Sequence, residues 1–191
     1  MRTSLYPLLG SLLLLPTELQ AQAVPTCQGV PATVVCPAAG GACVGGQGDD
    51  VIVGSPNPDT ISGLGGDDLI CGGGGDDIIF AGAGADEVYG QGGDDQLSGE
   101  EGADFLNGGI GDDRLMGNRG GDILFGATGN DVLFGGQGGD GLDGGAGDDI
   151  LNAGDGDDEL FGDVGYDECH GGNGIDAEVL GASCEVTTSI P

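Results

Sequence analysis

Gly72-Gly73-Gly74-Gly75-Asp76-Asp77-Ile78-Ile79-Phe80 and Gly144-Gly145-Ala146-Gly147-Asp148-Asp149-Ile150-Leu151-Asn152 are two copies of one nine-residue unit. Fifteen copies run without insertion or deletion over residues 45–179. The most regular column is aspartate: Asp50, Asp59, Asp68, Asp77, Asp86, Asp95, Asp104, Asp113, Asp122, Asp131, Asp140, Asp149, Asp158, Asp167 and Asp176. With this Asp at position 6, position 4 is Gly in fourteen copies, the exception being Asn57, and position 1 is Gly in thirteen, with Ala81 and Ala153 in the others. Position 8 is aliphatic in thirteen copies, from Ile52, Ile61, Ile70 and Ile79 through Val88 to a leucine at every ninth residue from Leu97 to Leu160. Cys169 and Glu178 end that column. The unit is G-x-x-G-x-D-x-U-x with U aliphatic, and a strict internal period marks a repeat architecture.

The physics of the unit predicts a short strand and a turn. In x-U-x, strand alternation points U inward and its two neighbours outward. G-x-x-G-x-D then reverses the chain, and the expectation is that Gly at positions 1 and 4 supplies φ > 0, with Asn57 as the substitute that tolerates it best. One aliphatic side chain per nine residues is too little apolar burial to order a chain by itself. Composition sharpens the point. Of 191 residues 46 are Gly, 33 are Asp or Glu, three are Arg and none is Lys, so the formal net charge is −30. That charge repels nucleic acid and anionic membrane surfaces and calls for a polyvalent cation.

The pattern resembles the RTX (repeats-in-toxin, hemolysin-type) calcium-binding nonapeptide repeat. The resemblance implies an all-β fold, a parallel β-roll or two-sided solenoid with two nonapeptides per turn, and Ca²⁺ held between turns stacked on the same side. Ca²⁺ takes six to eight oxygens from carboxylates and carbonyls, which Gly-rich turns and a recurring Asp supply; Mg²⁺ demands stricter geometry and keeps its waters. All fifteen position-6 aspartates are the expected ligands. They make thirteen n, n+2 pairs, so about thirteen sites are expected. Asp59 lies in the altered turn Gly54-Ser55-Pro56-Asn57-Pro58-Asp59, and Asp167 and Asp176 lie at the end of the array, which predicts weaker sites there. The position-5 aspartates (Asp49, Asp67, Asp76, Asp94, Asp112, Asp148, Asp157) are expected to face solvent and contribute field without direct bonds.

The ends differ from the middle. Residues 1–23 read as a secretory signal peptide, with Arg2, the apolar Leu12–Leu15 and an A-x-A cleavage site at Ala21-Gln22-Ala23; Pro7, Pro16 and Glu18 leave too short an apolar run to span a bilayer. The expected product is soluble and extracellular. Residues 24–44 are read as an N-terminal cap continuing the register without its Asp, Val34 and Cys43 falling at position 8. Residues 45–179 are the roll, and 180–191 a C-terminal cap or tail. Cys27, Cys36, Cys43 and Cys71 cluster at one end and Cys169 and Cys184 at the other, which in an exported chain suggests disulfides of unspecified pairing. The resemblance implies Cys27–Cys71, Cys36–Cys43 and Cys169–Cys184.

No catalysis is expected. The single histidine, His170, sits at an outward position among the terminal repeats, and the carboxylates, Glu18 and Glu185 apart, belong to the periodic array. The family's toxins, proteases and lipases carry a separate active domain for which this chain is expected to lack room. Outward residues at positions 7 and 9 include Ile123, Phe125 and Phe105 on one face and Ile78, Phe80, Val132 and Phe134 on the other. These are read first as cross-rung packing, with docking or self-association the alternative. The functional expectation is an exported calcium-binding protein that folds on Ca²⁺; the alternative is a structural or adhesive component of a surface or matrix.

Overall fold

The computed structural model describes residues 24–178 and 184–186; the expected signal segment, 1–23, and the rest of the expected tail lie outside the described residues. The nine-residue alternation places a strand in every repeat, and the described residues contain strands and turns with no helix. Strands of odd-numbered repeats stack in one nine-stranded parallel sheet and those of even-numbered repeats in another. Register is offset by two repeats throughout, as in Leu106↔Leu124 and Leu97↔Leu115. The fold is therefore the expected all-β parallel roll, with two nonapeptides per turn. Its core is the position-8 column, whose aliphatic members from Ile52 to Leu160 are all 0–1% exposed between the sheets.

The strands are longer than x-U-x. Those of the central repeats run six residues, from position 7 through position 3 of the next unit, as in Ile78–Ala83 and Ile123–Thr128. Stacking causes this. Each backbone group of positions 2 and 3 lies opposite its equivalent two repeats away (Glu100↔Asn118, Glu101↔Arg119), so pairing extends beyond the apolar pattern. Position 1 is left out of the register, and its side chain turns inward: Ala81 and Ala153 are fully buried. The true turn is the three residues at positions 4 to 6.

The glycine columns divide their work differently from the expectation. From the third repeat onward, φ is positive at positions 2 and 4, never at position 1. Position 2 has φ of 63–83° where it is not Gly (Leu64, Gln91, Glu100, Asn118, Ala127, Asp163), the left-handed region that other residues can visit. Position 4 lies mostly beyond that region, for example Gly147 at 144°, so only Gly fits comfortably. Asn57 does not have positive φ, so it is no substitute for that conformation. Its turn is rebuilt instead: Ser55 Oγ accepts the Asn57 N–H at 3.1 Å, and Asn57 Nδ2 donates to the Ala38 carbonyl at 3.0 Å, tying the second repeat to the cap.

That cap follows the expected register. Strands β1 (Thr26–Cys27) and β2 (Val30–Pro31) form an antiparallel hairpin, while β3 (Val34–Val35) and β4 (Gly41–Val44) begin the two sheets. Val34 pairs with Ile52 and Cys43 with Ile61. Disulfides join Cys27–Cys71, Cys36–Cys43 and Cys169–Cys184. Cys71 sits at outward position 9 yet is buried, because Cys27 and its hairpin cover it.

Candidate metal centre

Position 6 ends each turn and aims its carboxylate back under the turn. The aspartates from Asp59 to Asp167 are all buried, 1–3% exposed, while Asp50 and Asp176 at the two ends are half-buried. They form two lines along the roll. In one, the N–H of Asp50 donates to Oδ1 of Asp68, and the pattern continues through Asp86, Asp104, Asp122, Asp140 and Asp158 to Asp176. In the other, Asp59 donates to Asp77, then on through Asp95, Asp113, Asp131 and Asp149 to Asp167. Each of the thirteen n, n+2 pairs is joined, at 2.7–3.3 Å.

The second carboxylate oxygen is the unusual one. Oδ2 of Asp68, Asp77, Asp86, Asp95, Asp104, Asp113, Asp122, Asp131, Asp140, Asp149 and Asp158 is buried without a hydrogen-bond partner, as is Oδ1 of Asp59. A carboxylate oxygen sealed from water without a partner costs several kcal/mol. No side chain relieves it: the chain has no lysine, and Arg119 is exposed on the outer surface beside Glu101. The position-1 glycine explains what the orphaned oxygen faces. A Cβ on Gly72 would run into Oδ2 of Asp77 and, at 2.9 Å, the carbonyl oxygen of Gly90 two repeats on. Gly126 repeats this with Asp131 and the Gly144 carbonyl at 2.6 Å. Gly at position 1 serves space and not φ, leaving a cradle edged by a carboxylate oxygen and a backbone carbonyl from the next turn; only the small Ala replaces it, at Ala81 and Ala153, where Asp86 and Asp158 keep the same orphaned Oδ2.

These donors fit a hard cation. Among the described residues no three acidic, histidine or cysteine side chains converge; the cradles at Gly63, Gly72, Gly90, Gly117, Gly126 and Gly135 each set a carboxylate oxygen beside one backbone carbonyl oxygen, an all-oxygen pair of the kind Ca²⁺ takes. The carboxyl groups behave accordingly. Burial pushes them up against the opposing pull of the backbone N–H, and the aspartate eighteen residues away adds to the rise in most of them. Asp95, Asp104 and Asp113 are raised to about 7, and Asp77, Asp86, Asp131 and Asp140 to about 6. Asp68, Asp122, Asp149 and Asp158 move in the same direction.

The two ends of the lines differ. Both oxygens of Asp50 are engaged beyond its neighbour, Oδ1 by the Thr33 hydroxyl at 2.9 Å and Oδ2 by the Gly46 N–H at 2.6 Å. Asp59 Oδ2 accepts the Ser55 N–H at 2.7 Å. Asp50 and Asp59 thus sit in protein-made cradles that partly replace what the inner repeats lack.

Position 5 was expected to contribute field alone. Its aspartates are exposed, yet they form a second hydrogen-bond ladder running the opposite way. Asp76 Oδ1 accepts the Asp94 N–H at 3.1 Å, Asp94 that of Asp112 at 3.0 Å, and Asp112 that of Asn130 at 2.8 Å. Asp49, Asp67, Asp148 and Asp157 do the same for their neighbours. The Asp-Asp doublet was the available signal: position 6 clips a turn to the one before it, and position 5 clips it to the one after.

Compared with known families, the chain matches a model described as RTX calcium-binding nonapeptide repeat (4 copies) over residues 44–79, 72–106, 107–142, 135–169 and 143–177. No curated protein matches the chain.

Proposed function

The chain belongs to the RTX calcium-binding nonapeptide repeat family, and from that premise we propose that it is an exported protein whose roll folds on Ca²⁺ held in the turns. The observation that carries the reading is the row of twelve carboxylate oxygens buried without a partner. When bound, the divalent ion supplies the positive charge that these oxygens lack. Asp68 to Asp158 would hold it through Oδ2, with the position-1 carbonyl two repeats on as a backbone oxygen beside them, and the small residue at position 1, Gly or Ala, would keep the cradle open. The Oδ1 ladder fixes each carboxylate so that its other oxygen cannot swing out to water. About thirteen ions, one per n, n+2 pair, would nearly cancel the net charge of −30.

Export is supported by the A-x-A segment ending at Ala23 and by three disulfides, which persist in oxidising compartments. The domain reading follows: signal segment 1–23, cap 24–44, roll 45–179, tail 180–191. A role as binding module and not enzyme is supported by His170, whose ring contacts Glu168 at 2.9 Å on the outer face and whose neighbour Cys169 is tied to Cys184 in a disulfide.

Far-UV circular dichroism of residues 24–191 tests the reading. Coil in chelator and reversible β-structure in millimolar Ca²⁺ are expected; equal β content in both would overturn it. A second reading, a rod in a surface layer, is favoured by the ring contacts running Tyr89–Phe105–Phe125 along one outer face at 5.5–5.6 Å. Light scattering that grows with protein concentration on adding Ca²⁺ would select that reading.

A further inference from the structure

Position 7 of the repeat faces outward, and Gly141 is the one glycine in that column. Gly inside a strand costs roughly 0.5–1 kcal/mol relative to Ala, so it needs a reason. Neither conformation nor crowding provides one. Gly141 does not have positive φ, and a Cβ built on it would meet nothing within 4 Å. What its missing side chain leaves is space. The register sets Gly141 between Ile123 and Glu159, and Asp143 between Phe125 and Phe161. The eleventh repeat is thus a low rung between two high ones, and it floors a groove of about 770 Å³. The flanking rungs stand two strand spacings apart, roughly 9.6 Å, the width of one inserted side chain.

The lining is specific in kind. Aromatic rings stand on both sides of a carboxylate, with Glu159 beside it, and a cation between ring faces and carboxylates is favoured by both. Among the described residues no hydrogen bond or ion pair engages Asp143. The array's arginines are elsewhere: Arg114 and Arg119 lie on a strand of the opposite sheet. On that opposite face Arg114 shows how a ring of this protein holds a guanidinium, with its Cζ 4.5 Å from the centre of the Phe134 ring.

We propose that this groove receives an arginine or lysine side chain of a basic protein partner, its stem between Phe125 and Phe161 and its charge on Asp143 and Glu159. The turn-side end of the groove is edged by Asp122, Asp140 and Asp158 of the ion line, so the test is run with Ca²⁺ bound and varies only outward residues. The Ca²⁺-loaded protein is titrated with N-acetyl-arginine amide, followed by amide chemical shifts, with N-acetyl-norleucine amide as the uncharged comparison. Shifts are expected to cluster at Gly141, Asp143, Phe125 and Phe161. Gly141→Leu, which fills the groove without changing charge, and Asp143→Asn should each weaken binding about tenfold, and Glu100→Gln on the other sheet less than about twofold. Shifts spread along the acidic edges, or unchanged binding by both Gly141→Leu and Asp143→Asn, would overturn the proposal, since either leaves only long-range attraction.

Discussion

At the scale of the residue, glycine does four different things in this chain. At position 1 it makes room for a carboxylate; at position 4 it adopts a backbone angle closed to other residues; at position 2 it is optional; at Gly141 it leaves a groove. The columns predict opposite outcomes for one chemical change. Gly147→Ala forces a Cβ at φ 144° to within 2.6 Å of the Gly129 carbonyl carbon, and should cost roughly 1–3 kcal/mol. Gly141→Ala adds its methyl to open space in an extended strand, and should be neutral or stabilising by up to about 1 kcal/mol. Thermal unfolding midpoints of the two variants in Ca²⁺ measure the contrast. A matched fall in both midpoints would mean that the columns are not distinct.

At the scale of the element, each strand brings one aliphatic residue to the core and each turn brings one buried carboxylate, and the second sets the pH response. The carboxyl groups of Asp77, Asp86, Asp95, Asp104, Asp113, Asp131 and Asp140 rise to about 6 or 7 in the metal-free roll, above the ordinary value near 3.8 that they regain on unfolding. The folded chain therefore binds more protons than the unfolded one. This contribution to stability is full below about pH 4 and is lost as pH rises through 6 to 7. In chelator, lowering the pH from 7.5 to 5.5 should raise β content, read by far-UV circular dichroism. With Ca²⁺ present acid acts the other way, because protons compete for the same oxygens, and the Ca²⁺ midpoint should rise as the pH falls. A chelated chain that loses β-structure on acidification would contradict the buried, partnerless carboxylates.

At the scale of the whole molecule, the roll is quasi-one-dimensional: each turn contacts its two neighbours, and the disulfide-bearing ends close the column. Stability is then a sum over turns, and length is adjustable in units of two repeats. Deleting residues 99–116 removes one full turn and leaves every downstream residue on its own sheet. The shortened protein should keep the same β signal per residue in Ca²⁺ and bind about two fewer ions by equilibrium dialysis. Collapse of the whole roll would show that the turns are not interchangeable.

The nine-residue period, the inward aliphatic column and the aspartate column were legible in the sequence, whereas the roll and its two-repeat turn came with the resemblance to the RTX repeat, which converts a separation of eighteen residues into direct contact and one aspartate column into two lines. Any column in the repeat becomes a row in space, so Asp77, Asp95 and Asp113 could be aligned without coordinates. Tertiary structure alone decided the rest: that Gly72 clears space instead of turning the chain, that Oδ1 and Oδ2 of one aspartate have different fates, that Asp94 clips its neighbour, and that Gly141 opens a groove. A backbone angle, the direction of a single oxygen and the height of one rung beside two others depend on atoms of three successive turns at once. A period records which residues meet, and it carries no information on how their atoms face each other.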